Sequence, residues 1–179
     1  PFMVMATQNP VESYGTFPLP EAQTDRFFMR LSLGYMSRAE ELSVIARRST
    51  QTIVDKLPCV VTSEETEYLK QHFGDVKVSR VVADYLMNII ERTRDESRFV
   101  TGVSTRGAIA LYKAAQVTAA FAGRDFVLPE DVRFVAPHVL THRIIAGGVS
   151  RSGEISAFVE KLIKDVPVPL EVITEDSQC

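Results

Sequence analysis

Cysteine is scarce in this chain of 179 residues: Cys59 and Cys179 are all it has. Two thiols so far apart do not form a disulfide framework, and Cys179 reads as a free, exposed thiol. Long apolar runs are missing as well. None approaches the roughly 20 residues of a membrane-spanning helix, and residues 1–30 hold no basic segment followed by an apolar one. No membrane span and no secretory signal are therefore expected, and the cytoplasm is the expected location. Charge of one sign is lacking too. Twenty Lys and Arg face 23 Asp and Glu, for a formal net charge of -3, so no general nucleic-acid or polybasic membrane surface is expected. Histidine occurs three times. His138 and His142 stand four apart, which on a helix shares one face, but no Cys or carboxylate sits at a matching offset and no metal site is expected.

What is present is an ordinary globular balance, 45% hydrophobic and 24% charged, long enough for one domain or for a small domain plus part of another. Residues 2–6, Phe-Met-Val-Met-Ala, form a continuous apolar run suited to a strand buried on both faces of a parallel sheet. Residues 27–33 alternate, with Phe27, Met29, Leu31 and Leu33 on one side, and predict a second strand ended by Gly34. Between them lies a loop marked by Asn9, Pro10, Gly15, Pro18 and Pro20, then a helical turn or two over 21–25. From residue 37 the period becomes helical. Ser37 with Glu40 forms a capping-box signature ahead of a helix expected over about 38–56. Thr62 with Glu65 repeats it before a shorter helix expected to bury Leu69 and Phe73 and to close at Gly74.

Ser79 opens a further helix whose stripe is Val82, Tyr85, Leu86, Ile89 and Ile90. An alanine-rich helix is expected over about 104–122, with Gly123 as its stop. Pro129, followed by Glu130 and Asp131, starts a brief helix expected to reach Pro137. Ile155, Phe158, Val159 and Leu162 mark the last one. The fold class is thus mainly α: two strands, then about six helices. A first strand apolar on both faces needs neighbours, so the rest of its sheet is expected upstream and the chain is expected to be a fragment.

Several ordered stretches resemble the MoxR family of AAA+ ATPases. They are MATQNPVE at 5–12, GTFPLPEAQTDRF at 15–27, Gly102-Val103-Ser104-Thr105-Arg106, Leu128-Pro129-Glu130-Asp131-Val132, residues 135–140, and His142-Arg143-Ile144. The resemblance implies a helical lid domain preceded by the last strand-helix-strand piece of an α/β P-loop core. It sets 1–35 as the end of that core, 36–170 as helical linker and lid, and 171–179 as a tail. It further implies roles for three side chains. Asn9 falls at the sensor 1 position, where an amide at a strand tip orients the attacking water; read alone, Asn9 with Pro10 would only start a turn. Arg26 matches the arginine finger, which reaches the ATP of the neighbouring subunit and stays charged with forked donors; its plainer reading is a salt bridge to Asp25 or Glu21. Arg106 matches the sensor 2 arginine, acting on its own subunit's ATP or a neighbour's.

Neither a Gly-x-x-x-x-Gly-Lys-Ser/Thr loop nor an apolar strand ending in acidic residues occurs here, and the family would carry both upstream of Pro1. The resemblance thus implies a parent protein that uses ATP and Mg2+, assembles into a ring expected to be a hexamer, and works as a chaperone-like motor on a protein partner, one with a von Willebrand A domain. This chain alone is expected to bind no cofactor tightly and to be inactive. The alternative is a non-catalytic helical adaptor that binds protein through the lid. A DNA-acting AAA+ protein is disfavoured by the charge balance and by the lack of a basic, aromatic-interleaved patch.

Overall fold

The computed structural model describes residues 3–7, 19–46, 56–147 and 152–169. Among these, a turn of helix α1 (Glu21–Thr24) precedes α2 (Arg38–Ala46) and α3 (Ser63–His72), which runs into a 3-10 turn at Phe73–Asp75. Four longer elements follow: α4 (Arg80–Asp95), α5 (Thr105–Phe121), α6 (Pro129–Leu140) with a 3-10 turn at Thr141–Arg143, and α7 (Ser152–Asp165). The short strands β1 (Phe99–Thr101) and β2 (Ile145–Ala146) pair antiparallel, Phe99 opposite Ala146 and Thr101 opposite Ile145, with an irregularity between the pairs.

Local chemistry sets most helix starts. Thr62 and Glu65 close a full capping box, the Thr62 amide donating to Glu65 Oε2 at 2.8 Å and the Glu65 amide to Thr62 Oγ1 at 3.2 Å. Ser37 and Glu40 make the same exchange ahead of α2. Ser79 and Ser104 cap α4 and α5 by accepting from the amides of Val82 and Gly107. At α6 the side chain of Asp131 turns back to accept from the Leu128 amide at 2.8 Å, while Arg124 grips the same carboxylate with two bonds of 2.6 and 2.7 Å. Gly123 takes φ +71° just past α5, the left-handed stop that the sequence predicts.

The core lies between α4, α5, α6 and α7. Val82, Tyr85, Leu86, Ile89 and Ile90 of α4 are all buried, as their spacing predicts, against Leu111, Ala114, Ala115 and Ala119 of α5 and Val132, Ala136 and Val139 of α6. Alanines at these α5 positions let its backbone lie close to α6, the most extensive packing between helices here. Val159 and Ile163 close the cluster from α7. The 74–78 loop is fastened to it by Gln116, whose amide donates to the Val76 carbonyl at 2.7 Å, and by a parallel bridge between Lys77 and Phe126. Arg98 stacks over the Phe158 ring, 3.7 Å from its centroid, and holds the β1 end of the small ribbon on α7.

Four sequence expectations differ from the structure. Neither residues 3–6 nor Phe27–Leu33 pairs as a strand; a strand needs a neighbouring edge for its amides and carbonyls, and the described residues supply none. Met5 and Leu33 are accordingly 81% and 98% exposed. Leu69 is exposed rather than buried, since no described residue covers it and α3 has no buried residue. The helix from Pro129 continues through Pro137 to Leu140; proline forfeits one backbone bond, but the buried Val139 and Leu140 hold the last turn in place. The helix from 38 is described only to Ala46, and its expected remainder lies largely outside the described residues.

Candidate functional site

Arg143 stands at the end of α6 in the Thr141–Arg143 turn, its side chain only 1% exposed. A guanidinium buried this far needs acceptors for its five N–H groups, and it has them. Nε donates to the Val139 carbonyl at 2.8 Å, one turn back. Nη1 donates to Asp25 Oδ1 at 2.9 Å and to the Asp25 carbonyl. Nη2 donates to the Phe27 carbonyl at 2.6 Å and to that of Phe28 at 3.3 Å. His142 adds a bond, its Nε2–H donating to the same Phe27 carbonyl at 3.0 Å, and the Arg30 amide donates to the His138 carbonyl at 2.8 Å. The 25–30 segment is thereby pinned to the helical bundle through its backbone.

Asp25 is the other half of the junction. Its carboxylate also accepts from Ser104 Oγ at 3.2 Å and from Arg106 Nη1 at 3.5 Å, both at the start of α5. Ser104 thus caps α5 and touches Asp25 at once. The approach depends on two glycines. A Cβ at Gly107 would stand 3.0 Å from Arg143 Cδ and 2.5 Å from Val103 Cγ1, so glycine leaves the channel that Arg143 occupies. A Cβ at Gly102 would lie 2.6 Å from the Thr93 carbonyl oxygen and 2.7 Å from Arg94 Cα. The loop passes so close to α4 that Thr93 Oγ1 accepts the Val103 amide at 3.1 Å and Arg94 Nε donates to the Val103 carbonyl at 2.9 Å. Each residue of Gly102-Val103-Ser104-Thr105-Arg106-Gly107 from Gly102 to Ser104, with Gly107, therefore helps to set where Arg106 begins.

Arg106 and Arg26 meet at this junction in different ways. Arg106 has a side chain 60% exposed and only the long 3.5 Å contact to Asp25, which the much closer Arg143 shares. Arg26 is exposed, and no ion pair with it is found among the described residues. A salt bridge from Arg26 to Asp25 is absent among the described residues, where Asp25 faces the bundle; the side chain of Glu21, the other acid that would explain Arg26 in plain terms, lies outside the described residues. The backbone fixes the divergence: the Arg26 and Phe27 amides donate to the Gln23 and Thr24 carbonyls, closing a turn that sends successive side chains apart. Asn9 lies outside the described residues.

His142 is half-buried, and burial pushes its imidazole below the usual histidine range, with the nearby Arg143 and Arg30 adding to the push and the Phe27 carbonyl and Asp25 opposing it. Its Nδ1 is buried with no partner. The neighbour four residues earlier, His138, instead stacks edge-on to Phe134, 6.4 Å between centroids. Among the described residues no group of three or more His, Cys, Asp or Glu converges as a metal site, and no helix is long and apolar enough to cross a membrane. An open hollow of about 450 Å³ lies elsewhere, between α6 and α7 and lined by Phe134, Pro137 and Ile163 among others. Asp25, Arg143 and Ser104 all lie in the stretches that carry the family resemblance, but the sequence alone assigns none of them a role at this junction. A signal existed for Arg143, a lone charge inside the apolar Val139-Leu140 and Ile144-Ile145 stretch.

The family described as AAA lid domain matches residues 91–162, and the ATPase family associated with various cellular activities (AAA) matches residues 1–29. The chain is 39% identical over 173 residues to the uncharacterised protein YeaC of Bacillus subtilis (strain 168), covering 96% of this chain and 54% of that one. It is 33% identical to the chaperone MoxR1 of Mycobacterium tuberculosis (strain ATCC 25618 / H37Rv), covering 94% and 47%. A crystal structure from Cytophaga hutchinsonii, described as a candidate ATPase, superposes with a TM-score of 0.80 at 34% identity, covering 94% of this chain and 55% of its own. The chain thus spans about half the length of the relatives it matches.

Proposed function

Because this chain belongs to the MoxR family of AAA+ ATPases, we propose that it supplies the helical lid and the last core segment of a ring-forming, magnesium-dependent ATPase. Its parent acts as a chaperone-like motor on protein partners in the cytoplasm, a hexamer being the expected ring and a protein with a von Willebrand A domain the expected partner. Within this assembly Arg26 is the arginine finger, Arg106 the sensor 2 arginine and Asn9 the sensor 1 residue. The supporting observation is the division of labour at the junction. Asp25 turns inward to Arg143, Ser104 and Arg106, and leaves the adjacent Arg26 exposed and unpaired among the described residues.

An exposed guanidinium on a fixed turn suits a phosphate supplied by another subunit, since its charge and forked donors match phosphate oxygens. Arg26 and Arg106 fit the phosphates of ATP as donors. The acidic magnesium ligands and the phosphate-cradling loop are not among this chain's motifs, and are assigned to the rest of the parent protein. Bound there, the metal neutralises the charge on the phosphates. The present chain by itself therefore binds ATP weakly and does not turn it over. In the full-length protein, Arg26→Ala leaves ATP binding nearly intact and lowers turnover by roughly 10³ to 10⁵, and Arg26→Lys rescues poorly. Near-normal turnover in Arg26→Ala overturns the assignment.

A further inference from the structure

We infer that Arg143 is a positioning residue for Arg26, through which the state of one subunit's lid sets hydrolysis in the neighbouring subunit. The inference rests on Arg26 being the finger, but the geometry behind it is independent of that role. Arg143 bonds the carbonyls of Asp25, Phe27 and Phe28, so a single side chain from the end of α6 brackets Arg26 on both sides. His142 doubles the hold on Phe27, and the Arg30 amide on the His138 carbonyl extends it by another two residues. Among the described residues nothing comparable secures the segment beyond Arg30: Leu31 and Leu33 are 64% and 98% exposed, and α2 has no buried residue.

The bundle thus takes a direct part in setting the direction of Arg26. A rotation of α6 carries Arg143, and with it the turn that projects Arg26. Arg106 enters the same arrangement from α5. Its weak bond to Asp25 can be given up for a phosphate oxygen, whereas the short bonds of Arg143 persist and keep the finger segment on the lid. Nucleotide contact at Arg106 and finger placement at Arg26 then share one carboxylate, that of Asp25.

The test uses the assembled full-length ring and a double-mutant cycle. Arg143→Lys keeps the charge but cannot reach three carbonyls and a carboxylate at once. It is expected to lower kcat roughly 10²-fold, the order of loss that a misplacement of about 1 Å produces, with the KM for ATP within about twofold of the parent's. Added to Arg26→Ala it should cause no further loss, because both changes remove the same interaction. Losses that multiply, or a loss carried by KM alone, overturn the inference, as does a folded Arg143→Lys ring with normal kcat. Should that variant not fold, Asp25→Asn takes its place: this side chain is 25% exposed, and the same kcat-specific, non-additive loss is expected, with normal kcat overturning the inference. An inactive Arg26→Ala beside a fully active Arg143→Lys contradicts the coupling alone. A fully active Arg26→Ala contradicts the finger itself.

Discussion

Arg143 and His142 answer the same demand, the backbone carbonyls of residues 25–28, with different chemistry. Arg143 offers a rigid fork of five donors, while His142 bonds the Phe27 carbonyl through Nε2 and leaves Nδ1 buried with no partner among the described residues. Burial lowers the folded-state pKa of His142 from its ordinary value of 6.5, so the unfolded chain takes up its proton first as pH falls. The stability from this group is complete above about pH 6.5 and is lost as pH drops through the folded pKa. The urea midpoint of the chain should therefore fall between pH 7.5 and 5.5, and His142→Gln, which keeps a donor for Phe27 but cannot titrate, should flatten that fall. An identical pH dependence in the two proteins would show that His142 titrates without consequence. Sequence alone could not reveal these contacts. They join residues more than 110 positions apart, and no periodic pattern encodes them.

Helices differ in how far local chemistry decides them. Capping boxes and the α4 stripe were legible in the sequence because each involves residues three or four apart, the reach of one helical turn. Whether a helix face is covered is not a local property. The pattern at 63–72 shows which side Leu69 is on, but among the described residues none covers it. The β1–β2 ribbon was invisible for a different reason: strands of three and two residues are too short for alternation to register. The two capped helices make this contrast measurable. Ser104→Ala removes the cap of a buried helix and a donor to Asp25, and should cost about 1 kcal/mol of global stability. Thr62→Ala breaks a full capping box on a helix with no buried residue; it should speed amide exchange over 63–72 and leave the cooperative unfolding transition nearly unmoved. Equal effects of the two on the midpoint would mean that α3 belongs to the core after all.

At the level of the whole molecule, burial and function have different boundaries. The buried cluster runs from Val76 to Val166 and takes none of the described residues among the first 60, so a chain of residues 61–169 should still unfold cooperatively by calorimetry. A broad, non-cooperative melt would show that the amino-terminal segment is part of the folding unit. The proposed function runs the other way, since the two candidate arginines come from opposite sides of this boundary, Arg106 bonding Asp25 and Arg26 following Asp25 in the chain. On the proposed reading, a finger held by one subunit's lid would serve the nucleotide of the next. The most direct measurement mixes two inactive full-length proteins, one Arg26→Ala and one with its upstream magnesium ligands removed, and follows ATP turnover. Some interfaces in the mixed ring then join an intact site to an intact Arg26, and activity should reappear in proportion to their number. Co-assembled mixtures that stay inactive would contradict a finger acting between subunits.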